Sequence, residues 1–220
     1  MTRLELVKRL CREAGIGSSP LTTIGQSGEN LRSVEWIDAA YEEIQNLHWN
    51  WDFLRTDFSV SASIAVPAPV SPTDLGTWKV DSFRCYLTAT GTDDEQPMIY
   101  LPWDVFRDTC LLGTGRTQTG RPYMFSVKPD GDLSISPPIP DDTYTIVGEY
   151  FKEAQTLSAD TSEPLFSQNQ MAIVWKALIY YAAYSSEPDK AVMGESQYKK
   201  LIRKLELSQL PGYGWGPSLV

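Results

Sequence analysis

The spacing of apolar residues changes period twice along this 220-residue chain, and that change limits the fold more than any single residue does. At the N-terminal end the period is helical. Leu4, Val7, Leu10, Cys11 and Ala14 share one face and Gly15 is a stop, so residues 3–14 are predicted to form a helix. Residues 17–28 read as a loop of small and polar residues. A second helix is predicted over 29–47, with Leu31, Val34, Ile37, Tyr41, Ile44 and Leu47 along one face. Ser27 can cap it, and Asp38, Glu42 and Glu43 lie outside the stripe. His48, Trp49, Trp51, Phe53 and Leu54 then form an aromatic knot that anchors the helix end.

From Phe58 to Phe151 the pattern becomes one of alternation broken by proline and glycine. Strands are predicted over 57–62, 83–89, 97–101, 123–128, 132–136 and 143–151. Tyr123, Phe125 and Val127 alternate, Pro129-Asp130-Gly131 supplies a turn, and Leu133 and Ile135 return, so the last three strands are expected to form a meander. Pro102 to Leu111 reads as a short helix, and Val66 to Thr73 as an excursion. After Ala154 the helical period resumes. Ser162-Glu163-Pro164 is a helix start, with Met171, Val174, Trp175, Leu178, Tyr181 and Ala182 on its apolar side. Pro188 ends that helix and opens another, running to about Glu206 and carrying Lys199, Lys200, Arg203 and Lys204 on its wet faces.

The predicted fold class is therefore α+β. Residues 1–56 and 154–208 make an α-helical bundle, 57–153 an inserted antiparallel β lobe, and 209–220 an extended C-terminal arm. The arm alternates glycine with Tyr213 and Trp215 and ends in Leu219 and Val220. Burying each of these on a neighbour would contribute about 1.5–3 kcal/mol before ordering costs.

The functional chemistry is narrowed by what the chain contains. One histidine and three scattered cysteines, Cys11, Cys85 and Cys110, suit neither a histidine-rich metal site nor a zinc knuckle, and the expectation is free buried thiols with no cofactor. A net charge of −9 argues against generic binding to phosphate backbones. The Gly113–Arg116 and Gly120-Arg121 loops lack the lysine and hydroxyl of a phosphate loop. His48 has no local nucleophile, so a structural role at the helix end is expected. Asp93-Asp94-Glu95 and Asp141-Asp142 read as solvated turns rather than a calcium loop. Trp175 and Tyr181 belong to the core, while Tyr180 and Tyr184 are open to a partner. Residues 1–15 mix charges with apolar residues, and Met171–Tyr184 carries Lys176 and is too short to span a bilayer. A protein made and kept, or assembled, in the cytoplasm is expected, with no membrane.

Taken in order, several stretches resemble tailed-bacteriophage head-to-tail adaptor (connector) proteins. They are Leu6–Gly15, Gly25–Gly28, Val34–Gln45 with its Trp-rich sequel, Trp78–Arg84, Gly120–Pro122, Gly148–Tyr150, Tyr180–Tyr184 and Leu205–Pro211. The resemblance covers nearly the whole chain, and its specificity lies in the order of these elements. It implies a structural virion protein and no enzyme. Such adaptors form a ring, commonly of twelve copies, at the head-tail junction, assembled in the host cytoplasm. The ring binds the portal, carries tail or stopper or nozzle proteins, and surrounds passing DNA without reading its sequence. Carried onto this chain, Tyr213, Trp215, Leu219 and Val220 become portal-docking anchors. Tyr180, Tyr184, Arg116 and Arg121 become candidate subunit contacts. Three alternatives stay open: another virion ring component such as a stopper or tail-terminator, a small ligand-binding β module, and a small hydrolase using Cys or His. The hydrolase would need His48 beside a nucleophile in a cleft. The binding module would work as a monomer without its tail.

Overall fold

The computed structural model describes residues 1–17, 19–65 and 69–210. In chain order the elements are helices α1 (Arg3–Ala14) and α2 (Gly28–Asn46), and strands β1 (Arg55–Ala62), β2 (Leu75–Leu87), β3 (Gln96–Pro97) and β4 (Ile99–Tyr100). Then come the short helix α3 (Trp103–Phe106), strands β5 (Met124–Val127), β6 (Leu133–Ser136) and β7 (Tyr144–Lys152), and helices α4 (Met171–Ser185) and α5 (Pro188–Gln209). The chain divides into two units, one of Met1–Leu54 with Ala154 onward, the other of Arg55–Glu153. The anchors assigned to the C-terminal arm, Tyr213, Trp215, Leu219 and Val220, lie outside the described residues, as do residues 66–68 of the excursion.

In the helical unit, α1 is fixed at both ends by its own residues. Thr2 and Glu5 form a reciprocal capping box, and Gly15 closes the other end in the left-handed conformation at φ 72°. Its buried face is Leu6, Val7, Leu10, Cys11 and Ala14. The buried face of α2 includes Val34, Ile37, Tyr41 and Ile44, whereas the predicted end members Leu31 and Leu47 are exposed. Ser27 stands at the N-cap of α2, but its side chain makes no capping bond. Against these packs α4, which is apolar nearly all round and touches α1, α2 and α5. Pro188 opens α5 as expected. Gly194 lets α5 approach α4 closely, since a Cβ there would sit 3.1 Å from Ile179 and from the Trp175 carbonyl.

The predicted helix start at Ser162-Glu163-Pro164 is not used; α4 begins at Met171. The backbone there is already engaged by other parts of the unit. The carbonyls of Ser162 and Asp160 accept from Arg3 N and Leu4 N, and Leu165 N donates to the Tyr41 hydroxyl at 3.0 Å. Leu157 and Phe166 bury their side chains, which pins the segment as an irregular strap. The aromatic knot after α2 does anchor the helix end. Trp51 is fully buried, donates to the Ile44 carbonyl at 3.1 Å and stacks on Phe53, which meets Phe166.

The β unit holds two sheets. The first runs β1-β7-β2-β3 and is antiparallel; the second runs β4-β5-β6, with β4 parallel to β5. The expected meander is therefore corrected: β5 and β6 form the hairpin, but β7 leaves them and inserts between β1 and β2. Its nine residues are mostly buried, and a strand buried on both sides gains more in a sheet centre than at the edge of a short hairpin. Strand β2 starts at Leu75, well before the predicted 83, because it bulges twice against β7, once at Gly76 and again between Lys79 and Arg84. A Cβ at Gly76 would lie 2.9 Å from the Lys152 carbonyl. Predicted strand 97–101 is split into β3 and β4, one in each sheet. Pro102–Leu111 is helical as expected, α3 passing directly into a wider π-helical turn over Arg107–Leu111. Phe58, Trp78, Phe83, Phe125, Ile146 and Tyr150 fill the core of this unit, and the Phe83 ring covers Gly148.

Ile37 is wholly buried and Leu31 is half exposed on the same helix. Ile37→Ala should lower the unfolding free energy by about 2–5 kcal/mol. Leu31→Ala should cost well under half of that. Urea denaturation followed by far-UV circular dichroism compares the two.

Candidate interaction surfaces

In the helical unit, three helices meet at the carboxylate of Glu43 on α2. Lys176 of α4 pairs with it at 2.7 Å, and the Tyr180 hydroxyl donates to the same group. The Lys176 ammonium also lies 5.4 Å from the Tyr180 ring centre and 5.3 Å from that of Tyr198 on α5. Burial raises the Glu43 carboxyl, but the bonds from Lys176 and Tyr180 outweigh it and hold it below the usual range. Burial, then the bond to Glu43, pushes the Tyr180 hydroxyl far up. Tyr180 is thus tied inward by its hydroxyl, with only part of its ring free.

One turn further along α4, Tyr184 faces outward and is 58% exposed. Its ring centre is 5.7 Å from that of Trp36, and the Arg32 guanidinium stands 4.2 Å above it. Trp36 meets Tyr181 edge-on at 5.7 Å. The exposed Arg32 and Tyr184 with the half-buried Trp36 therefore make an aromatic and cationic cluster at the surface, a composition favoured where proteins meet. Sequence reasoning singled out Tyr184 but not Trp36 or Arg32. The cue was present: Trp36 lies off the apolar stripe of α2, where a tryptophan needs cover from another element. Trp175, expected in the core, is half-buried, and Tyr181 is buried.

In the β unit, Arg121 is occupied by its own unit. It donates to the Asp94 carboxylate at 2.7 Å, to the Asp94 carbonyl at 2.6 Å and to the Cys85 carbonyl at 2.7 Å. That fork ties the loop before β5 to the end of β2 and the turn after it. Hydrogen bonds from Arg121 and from the Leu87 amide hold the Asp94 carboxyl below its usual range. Asp94 is thus a latch, where the sequence suggested only a solvated turn. Arg116 is exposed, and its Nε donates to the Leu111 carbonyl at 3.1 Å, closing the turn over 113–117. Gly115 presses so closely on Cys110 that a Cβ would lie 2.4 Å from the carbonyl oxygen, which explains the small residues of this loop without a ligand. On the outer face of the first sheet, a shallow groove at the second β2 bulge is lined by Asp57, Lys79, Asp81, Arg84 and Glu149. Its floor is already paired, since Arg55 and Lys79 both bind Glu149, at 2.5 and 2.8 Å.

His48 meets Glu206 of α5 at 3.2 Å and stands edge-on to Trp51, so it fastens the end of α2 to α5. Cys11, Cys85 and Cys110 are free and buried. Burial raises the Cys11 thiol and pushes that of Cys85 up to about 11. Among the described residues, no three His, Cys, Asp or Glu side chains are grouped to hold a metal, and no helix is long and apolar enough to cross a membrane.

A family model described as SU10 adaptor protein matches residues 1–216 of the chain. No curated protein matches it.

The depressed Asp94 carboxyl has a readable consequence. A carboxylate whose folded pKa is lowered adds stability above its unfolded pKa near 3.8 and loses it as pH falls through the lower folded value. Asp94→Asn should therefore melt below the parent protein at about pH 7. That gap should narrow as pH drops under 3.8, which thermal melts across the acid range would show.

Proposed function

The chain belongs to the SU10 adaptor protein family, and from that premise we propose a ring-forming head-to-tail adaptor that sits between portal and tail around the DNA channel. At the coarser level the protein is a phage adaptor, a structural component of the virion. One observation supports the finer reading above others: the family match runs from residue 1 to 216, across both helical segments and the inserted β unit.

On this reading the protein performs no catalysis, and its surfaces are its function. The helical unit is the ring body. The β unit, Arg55–Glu153, faces neighbouring copies or the tail proteins, whether stopper or nozzle. The ring holds twelve copies and forms at the head-tail junction after assembly in the host cytoplasm. Tyr213, Trp215, Leu219 and Val220 follow directly on α5 and are the anchors that dock on the portal. Subunit contacts draw first on Tyr184 and Arg116, which are exposed. Tyr180 and Arg121 act behind them, each held by bonds within its own unit. A net charge of −9 suits a channel wall past which DNA slides without being gripped.

Because α5 runs to Gln209, the arm is best removed after Leu210. Deletion of residues 211–220 should leave the thermal melt of the protein nearly unchanged. It should abolish attachment to portal-bearing heads in a pull-down and reduce head–tail joining at least tenfold. A truncated chain that joins heads to tails as well as the full one removes the arm from the portal contact.

A further inference from the structure

Helix α5 carries a basic face that no ion pair among the described residues matches. Lys200, Arg203 and Lys204 are all exposed on one side of it. Helical spacing sets Lys200 beside Lys204 and Lys199 beside Arg203, four residues apart, where like charges weaken a helix. Lys199 alone is compensated, by Glu195 at 2.7 Å. Among the described residues no ion pair reaches Lys200, Arg203 or Lys204. Glu206, an acid one turn away, is engaged by His48. Nor does the run serve the helix dipole, whose pull fades within the final turn, because the final turn of α5 has no basic residue.

Most of the excess acid lies in the other unit. Residues 55–153 hold eight Lys and Arg against fourteen Asp and Glu, a net −6, while the rest of the chain holds eleven against fourteen, a net −3. At one end of the β unit, Thr88 N donates to the Thr143 carbonyl at 3.0 Å and brings the turn over 91–94 beside the corner at 141–143. Asp94 and Glu95 are neutralised there by Arg121 and Arg84. Asp93, Asp141 and Asp142 are exposed and meet no cation among the described residues; Asp141 accepts only the Tyr144 hydroxyl, and Asp142 the Thr143 amide. Two of these acids, Asp141 and Asp142, lie close enough to act on Tyr144. Burial first, then Asp141 and Asp142, push its hydroxyl up to about 12 against the opposing effect of Arg121.

We propose that the basic face of α5 docks on the acidic end of the β unit of a second copy of the chain, with Lys200, Arg203 and Lys204 opposite Asp93, Asp141 and Asp142. The inference rests on the adaptor reading only in that copies of the chain meet. Two different patches in contact make a heterologous interface, the type that repeats head to tail and can close into a ring. Charge complementarity selects this occupant. A nucleic-acid backbone would match the cations but leave the three carboxylates bare, whereas a second copy satisfies both sets at once.

The test uses the full chain. Self-association is measured by sedimentation at high protein concentration in low salt and in about 0.5 M salt, where the Debye length falls to a few ångströms. One variant is K200E/R203E/K204E; Glu preserves helix propensity, so the fold is retained. The second is D93K/D142K, which spares the Asp94 latch and the Asp141–Tyr144 bond. The wild type should associate in low salt and dissociate in high salt. Each variant alone should associate at least tenfold more weakly, and the two mixed should recover, because the reversed faces match one another. A wild type that stays monomeric throughout, or variants that associate as it does, overturns the proposal. So does loss of binding to a short DNA duplex in the α5 variant with self-association unchanged, which assigns the stripe to phosphates. These outcomes are independent of removing residues 211–220: an α5 variant that still joins heads to tails, with a wild type that does not self-associate, would retire this interface and leave the adaptor assignment standing.

Discussion

The helical unit depends on α4 burying most of its circumference against other helices. Ala172, Ile173, Val174, Ala177, Leu178, Tyr181 and Ala182 are all buried, and a helix buried on so many sides is stable only when others surround it. Helices α1 and α2 come before the β segment and α5 after it, and all three touch α4. The core of this unit can therefore form only after some hundred intervening residues have been looped out and the chain has returned. Gln45 helps to fix the return. Its buried side chain donates to the Gln155 carbonyl and accepts from the Gln155 amide, both at 2.9 Å. That pair of bonds satisfies a buried amide completely and holds the strap that leads into α4.

Much of this was legible in the residues, and what was hidden has a common cause. Helical periodicity located α1 and α2 to within a residue, and Gly15 and Pro188 acted as the punctuation their chemistry suggests. The start of α4 was misread because Ser162-Glu163-Pro164 has the local form of a helix N-terminus, while its carbonyls are claimed by the first turn of α1. The first half of β2 was missed because two bulges break its alternation, and β7 was misplaced because adjacency along the chain does not determine which strands pair. Surface features divided the same way. Tyr184 stood out as an aromatic beyond the core face, but the Arg121 fork joins residues 27 and 36 positions apart, and no short-range pattern announces it.

The two units use charge in different ways. Inside each, ion pairs are local fasteners: Glu43 with Lys176, Arg3 with Asp38, Glu149 with Arg55 and Lys79, Asp94 with Arg121. Exposed pairs of this kind add little to stability alone, but several are multidentate and fix the orientation of loops. Among the charges without an ion pair, two groups stand together, the cations Lys200, Arg203 and Lys204 on α5 and the carboxylates Asp93, Asp141 and Asp142 at one end of the β unit. Segregation of that sort does nothing for the fold of a single chain. It is informative because folding alone would not select it.

The buried thiols of Cys11, Cys85 and Cys110 carry a practical consequence. Such reagents as maleimides and haloacetamides must reach the sulfur, and a sulfur enclosed in a core is out of their reach. The folded chain is thus nearly silent to such reagents. A cysteine introduced at an exposed position would be the one reactive handle on each copy, so spectroscopic labels could be read in an assembly without first stripping the native sulfurs from its core.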